Sequence, residues 1–383
     1  MFIVHNQDCS GIISLVNDLI IKAIKQGVSD IHLEPMKEQL RVRFRVDGVL
    51  IEQKPFEQFL ISQIIGRLKV LSSINITHKR MPQDGKFRFD FSHKMVDLRV
   101  STFPTVFGEK VVIRILDPDF HLITLDQLGL SDDIKTSFSD LLRKPQGLFL
   151  VTGPTGSGKT TTLYAALNAL ISPIKNVVTL EDPVEYSLCG VTQSQINPVT
   201  GFTFEHGMRS ILRQDPDIIM VGEIRDKETA QVAIEAALTG HTVLSTMHTN
   251  DASSAVMRLM DMGIEPFLVN ATLTGVLAQR LARKLCISCK STDEEKDHKN
   301  INIYEDNRKG CSHCNYTGYK GRIGIFELLC MSHSLRALIV QQPDVVALYD
   351  QAVKEGMISL REDGSQKVKQ QETSLQEISR ILI

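Results

Sequence analysis

The chain changes its hydrophobic rhythm more than once. Residues 10 to 26 (SGIISLVNDLIIKAIKQ) place apolar side chains at helical spacing, with Ser10 positioned to cap the start and Gly27 to stop the end. The stretch that follows alternates instead. Leu40, Val42, Phe44 and Val46 alternate with Arg41, Arg43 and Arg45, and Asp47-Gly48 supplies a two-residue hairpin turn. Phe87, Phe89 and Phe91 alternate with Lys86, Arg88 and Asp90, and Val96, Leu98 and Val100 with Asp97 and Arg99. Val111, Ile113 and Ile115 leave Arg114 on the opposite face. The pattern predicts an antiparallel sheet with one buried and one basic face, plus helices near 10–26 and 57–72.

Asp117-Pro118 interrupts that rhythm, and a polar connector over 118–145 leads to a second one. Short β-branched runs at 148–152, 177–180, 218–221 and 242–246 alternate with helical patterns at 159–171, 204–213, 227–239 and 252–262. Strands alternating with helices imply parallel pairing through crossovers, an α/β domain. From 286 the composition shifts to Cys, Lys, Asp and Asn, and a mainly helical tail is expected from about 327. The division this predicts is an α+β domain over 1–117, a linker over 118–145, an α/β core over 146–285, a four-cysteine module over 286–314 and a helical region over 315–383.

Composition narrows the class. A chain of 383 residues suits two or three domains. It is 42% hydrophobic and 23% charged, which reads as globular, and its formal charge of -2 gives no global attraction to nucleic acid. No run approaches the ~20 apolar residues of a membrane span, and Met1 to Ser10 lacks the order of a signal peptide. The expectation is a cytoplasmic protein with no direct membrane insertion. Seven cysteines fit that compartment as metal ligands or free thiols.

The strongest motif is Gly153-Pro154-Thr155-Gly156-Ser157-Gly158-Lys159-Thr160, followed by Thr161. LFLVT before it reads as a buried strand and TTLYAALNAL after it as a helix. Glycines let backbone N–H groups curl around phosphate oxygens, and the helix N-terminus adds a positive end. Lys159 is placed for the β- and γ-phosphates of ATP and the Thr160 hydroxyl for Mg²⁺. Ile218 to Val221 reads as a buried strand with Glu223 just past its end, where crevice residues of an α/β sheet emerge. Gly222 occupies the place where an Asp is usual in a Walker B strand, so Glu223 takes the metal-side role. Thr179-Leu-Glu-Asp-Pro-Val-Glu185 brings a second acidic group after another strand; such a cluster can equally be a solvated turn. His241 and His248 flank one strand and are candidates for sensing the γ-phosphate, although a lone histidine is more often structural.

Cys286-x2-Cys289 and Cys311-x2-Cys314 lie roughly twenty residues apart, a spacing that suits structural Zn²⁺ on four thiolates. A redox pair or unligated thiols are the other readings. His313 lies between two better ligands, and Cys9, Cys189 and Cys330 read as ordinary buried thiols.

Taken in order, these motifs resemble the secretion ATPases that drive type II secretion and type IV pilus assembly. The resemblance runs from Leu15 to Leu382 through VSDIHLEP (28–35), RMPQDGKFRF (80–89), VDLRVST (96–102), the phosphate loop, TLEDPVEY (179–186) and LRQDPDIIMVGEIRD (212–226). TGHTVLSTMHTNDA (239–252), QRLARKLC (279–286) and GYKGRIGIFELL (318–329) complete it. It implies a cytoplasmic homo-hexamer, peripherally associated with the inner membrane, with ATP between a PAS-like N-terminal domain and a RecA-like domain. It further implies Glu185 as the base that activates water, Glu223 as the Walker B acid, and Arg99 and Arg114 as ligands of the γ-phosphate. Arg209 and Arg213 are weaker candidates for the same electrostatic role, and solvated sheet-face charge is the plain alternative for Arg99 and Arg114. The expected partner is an inner-membrane platform protein, with no nucleic acid. The chain resembles a short form without the extra N-terminal docking domain of larger members. Its length is nearer to that of pilus-retraction motors, which generally lack the four cysteines, so assembly or secretion is favoured over retraction. A RecA-like nucleic-acid motor would share the phosphate loop and knuckles, but aromatic–basic stacking runs are missing. A scaffold that binds ATP without turnover is disfavoured by Glu185 and Glu223.

Overall fold

The computed structural model describes residues 3–4, 11–116, 123–290 and 310–382. Ser10, Cys9, the Asp117-Pro118 break and nearly all of the polar cysteine loop (291–309) lie outside the described residues. The chain forms two compact units, Met1–Phe120 and His121–Ile383.

The first unit contains β1 (Ile3–Val4), α1 (Gly11–Lys25), β2 (Val28–Pro35), β3 (Gln39–Val46), β4 (Val49–Glu57), α2 (Ile61–Leu71), β5 (Gln83–Phe91), β6 (Lys94–Thr105) and β7 (Gly108–Leu116). Its sheet runs β1-β5-β6-β7-β2-β3-β4. All pairs are antiparallel except β1 on β5. The alternation read from sequence sends Leu33, Phe44, Phe87, Phe89 and Leu98 to one face, where they pack with Val16 and Ile20 of α1 and Ile64 and Leu68 of α2. The charged residues between them are thereby left on the other face.

The second unit begins earlier than the connector suggested. Residues 118–145 are not a linker throughout: α3 (Asp132–Leu142) lies within them, with the Ser131 hydroxyl accepting the Ile134 N–H at its start. Ile134, Phe138, Leu141 and Leu142 form a stripe that is buried against Phe149 and Leu163. The segment reads polar because the other face of a short surface helix is polar.

Then follow β8 (Gly147–Thr152), α4 (Lys159–Leu170), β9 (Val177–Glu181), β10 (Thr192–Gln195), α5 (Phe204–Ile211), β11 (Ile218–Val221), α6 (Lys227–Leu238), β12 (Thr242–Met247), α7 (Ala252–Asp261) and α8 (Pro266–Thr272). The chain ends with β13 (Leu273–Leu285), β14 (Tyr319–Cys330), α9 (His333–Val340), α10 (Val345–Lys354), α11 (Leu360–Lys369) and α12 (Leu375–Ile381). The sheet order is β10-β9-β11-β12-β8-β13-β14, parallel throughout except for the antiparallel β13–β14 pair. Leu148 and Leu150 enter one core with α5, α6 and α7, while Phe149 and Val151 enter another with α3 and α4. Both faces are covered, so the strands read as continuous apolar runs. The C-terminal region is helical only from His333. Its first part, YKGRIGIFELLC, is β14, because a run that is buried on both sides satisfies its backbone by pairing with β13. No helix of the described residues is long and apolar enough to cross a membrane.

Candidate active site and metal centre

Because β8, β9, β11 and β12 are parallel, the segments after them emerge at one edge of the sheet. The phosphate loop joins β8 to α4. Gly153, Gly156 and Gly158 all have positive φ (150°, 79° and 89°). A Cβ on Gly153 would lie 2.5 Å from the Gln279 carbonyl oxygen, and one on Gly158 would lie 2.8 Å from Gln279 Nε2. Glycine is thus required both for conformation and for the close approach of β13. Ser157 Oγ is buried without a hydrogen-bond partner, and the first turn of α4 offers backbone N–H groups with no intrahelical acceptor. This is a donor-rich cradle of the kind a phosphate fills.

Lys159 is buried to 9% exposure, and its Nζ donates to the Gly153 and Pro154 carbonyls at 2.8 and 3.0 Å. Burial and the nearby Arg280 charge pull its pKa down to about 8 against the opposing pull of Glu223. Glu223 follows β11. Its carboxylate is 2.6 Å from Arg225 Nη2 and 3.3 Å from His248 Nε2. Two cross-strand bonds hold this segment against β12: Ile224 N–H to the Thr246 carbonyl at 2.9 Å, and the Thr246 hydroxyl to the Gly222 carbonyl at 2.8 Å. The Thr152 and Thr249 hydroxyls meet at 2.7 Å and tie the loop after His248 to the strand before the phosphate loop. Lys159, Glu223 and His248 are therefore brought together. Thr160 is exposed at the first turn of α4, with the half-buried Thr161 beside it. Glu185 is half-buried in the loop that follows β9 and the cis Asp182–Pro183 bond.

His241 is not brought to this site. It precedes β12 at the opposite end of the sheet, where Gly147 N–H donates to its carbonyl and its Nδ1 lies 2.9 Å from the Ala236 carbonyl. A six-residue strand separates the two histidines, so His241 finishes α6 rather than facing the phosphates. Arg209, exposed on α5, pairs with Glu205 at 2.8 Å, and Arg213, exposed just past the end of α5, turns back onto the Arg209 carbonyl at 2.7 Å. In the first unit, strand register aligns Lys86, Arg99, Arg114, Asp30 and Arg45 across five strands. Arg114 donates to Asp30 at 3.1 Å. Next to them Glu34 gathers Arg41, Arg43 and Lys110. Burial alone would raise the Glu34 pKa, but the bonds from Arg43, Lys110 and Arg41 hold it at about 2.

Two residues beside the loop stand at the head of the QRLARKLC motif, where the motif reading assigned them no role. Gln279 is buried and accepts from the Thr162 hydroxyl at 2.7 Å. Arg280 donates to the Gln279 carbonyl at 3.1 Å and the Asn250 carbonyl at 2.7 Å, so it links β13, which backs the phosphate loop, to the loop after His248. The signal was a polar pair inside the apolar run of β13.

Cys286 and Cys289 follow β13, and Cys311 and Cys314 precede β14; their sulfurs all lie within 4.8 Å of one another. The Cys286–Cys311, Cys289–Cys314 and Cys311–Cys314 separations are each 3.8 Å. A tetrahedron with Zn–S bonds of about 2.3 Å has edges of about 3.8 Å, so the four thiols fit zinc. The backbone N–H groups of Cys311 and Gly318 point at Cys314 Sγ at 3.2 and 3.3 Å and favour its thiolate. His313 is exposed beside this cluster. Cys189 and Cys330 are exposed rather than buried.

A parallel sheet with a glycine loop after one strand, a buried lysine in that loop and a carboxylate beyond another strand defines a P-loop NTPase. The chain belongs to the Type II/IV secretion system protein family, whose family model matches residues 5–380. It is 46% identical to the Type II secretion system ATPase E of Vibrio cholerae, covering 99% of this chain and 77% of that protein. Identity to the Type IV pilus assembly ATPase TfpB of Acinetobacter baylyi is 45%, covering 97% of this chain and 65% of that one. Among solved structures, the pilus retraction motor PilT with bound ADP superposes with a TM-score of 0.63 at 25% identity, covering 95% of this chain and 96% of that chain. The chain is an ATPase.

Proposed function

We propose that the chain couples ATP hydrolysis to type II secretion or type IV pilus assembly. It would do so as a cytoplasmic homo-hexamer, held at the inner membrane by a platform protein of its machine. The observation that carries the ATPase chemistry is the meeting of Lys159, Glu223 and His248 at one edge of the parallel sheet. Lys159 and the loop amides hold the phosphates; Thr160 and Glu223 are the residues to hold Mg²⁺, which neutralises charge between the β- and γ-phosphates when bound. Glu185 is the proposed base for water, and Glu223 keeps His248 oriented toward the same edge. Arg99 and Arg114 are proposed to meet the γ-phosphate. Their support is the register that sets Lys86, Arg99 and Arg114 side by side. Arg114 already meets Asp30 at 3.1 Å, and a row of like charge on one sheet face still favours an anionic ligand over a cationic one. Zinc is proposed to close the β13–β14 ends as a structural ion.

The relatives named above favour secretion or assembly over retraction, since identity to them is 45–46% against 25% to the retraction motor. The test is ATP turnover with and without the cytoplasmic segment of an inner-membrane platform protein of such a machine. Stimulation of phosphate release by that segment supports the proposal. Binding of DNA with stimulated turnover, and none by the platform segment, would contradict it.

A further inference from the structure

The helix that follows the phosphate loop carries one buried phenol. Tyr164 lies on α4, one turn beyond Thr160, and is 1% exposed. Its hydroxyl donates to Glu181 Oε2 at 2.5 Å and accepts from Gln193 Nε2 at 3.5 Å, with the backbone N–H groups of Glu185 and Tyr186 turned toward the same oxygen. The phenol's single donor position is thereby committed to Glu181. Glu181, 2% exposed at the end of β9, also accepts from the Thr179 hydroxyl at 2.6 Å and from Gln193 Nε2 at 3.1 Å. Gln193 on β10 then donates to the Tyr186 carbonyl at 3.0 Å and accepts the Leu188 N–H at 2.6 Å. The loop bearing Glu185 is thus held to the sheet edge through Gln193, and Gln193 and Glu181 both bond the phenol of the phosphate-loop helix. Burial, together with the bond to Glu181, pushes the Tyr164 phenol pKa up, so it stays a donor at neutral pH.

We infer that Tyr164 is a positioning residue for hydrolysis: through Glu181 and through Gln193, which holds the Tyr186 carbonyl next to Glu185, it fixes the water-activating carboxylate relative to the phosphate loop. The inference rests on the proposed role of Glu185. A shift of about 1 Å at a reacting group costs on the order of 100-fold in rate. Tyr164→Phe keeps the ring in its core but removes the hydroxyl that bonds Glu181 and Gln193.

The experiment measures steady-state turnover and ATP-analogue affinity in the full chain carrying Tyr164→Phe, Glu185→Gln or both. Expected are a kcat lowered ~10- to 100-fold by Tyr164→Phe, affinity within about twofold of the unsubstituted chain, and no further loss when Tyr164→Phe is added to Glu185→Gln. Gln193→Ala, which cuts the second tether from outside the core, is expected to lower kcat in the same direction and keeps the test readable should Tyr164→Phe not fold. Full turnover in Tyr164→Phe with Glu185→Gln inactive overturns the inference alone, as does a further, additive loss in the double variant. Full turnover in Glu185→Gln overturns the assignment of the base, and the inference with it.

Discussion

Lys159 carries the clearest pH signature of the site. Its pKa of about 8 means the free site loses an ammonium charge as pH rises through that value. A bound polyphosphate favours the charged form and draws the proton back. Between about pH 8 and pH 9, nucleotide binding is therefore expected to take up protons and to weaken as pH rises. Calorimetry in two buffers of different ionisation enthalpy reads this directly, and binding without proton exchange would contradict it. Glu223 gives the second residue-scale prediction. Glu223→Gln keeps the shape but removes the charge that faces Arg225, His248 and Lys159; turnover is expected to fall ~10²- to 10³-fold with ATP binding retained. At this scale the phosphate loop, Glu223 and the cysteines were legible because each is a local pattern of residue types. The roles of Tyr164, Gln279 and Arg280 were not, although the last two stand in a quoted motif, because each residue takes its role from a partner remote in sequence, such as Glu181, Thr162 or Asn250.

Among the elements, the β13–β14 pair concentrates the testable energetics. Its open ends converge on the four cysteines, so zinc, chelation and local stability should move together. One zinc per chain is expected by metal analysis, lost in Cys314→Ser, with a lower melting temperature and faster proteolysis near 286–318 after chelation; unchanged stability would remove the structural role. α12 docks on the same pair through Glu377, which accepts from Arg283 and Arg380 and is 1% exposed. Burial would raise its pKa, yet the two arginines hold it at about 2, below the ordinary value of 4.5. A carboxyl depressed in this way adds stability above about pH 4.5 that is lost as pH falls toward 2, on the order of 3 kcal/mol. Glu377→Gln is expected to lower the melting temperature at pH 7 and to flatten that acid dependence. The elements also show where pattern reading stops. α3 was hidden because its polar face dominates its composition, and β14 because a strand buried on both sides has no alternation to display.

For the whole molecule, the division into an antiparallel unit and a parallel unit followed from the switch between alternating and helix-interrupted rhythms. The strand order could not be read that way, since β8 lies between β12 and β13 only after crossovers bring distant segments together. The proposed use of the two units gives a further expectation. Arg99→Ala should leave ATP binding intact and reduce turnover by about 10³-fold, measured as separate affinity and rate; unchanged turnover would remove the arginine from the mechanism. The central claim, that the edge built from the phosphate loop and the β11 acid hydrolyses ATP, is tested most directly by phosphate release from the full chain with Mg²⁺, compared with Lys159→Ala. The account predicts steady release by the unsubstituted chain and loss of nearly all of it in Lys159→Ala; equal release by the two chains would contradict it.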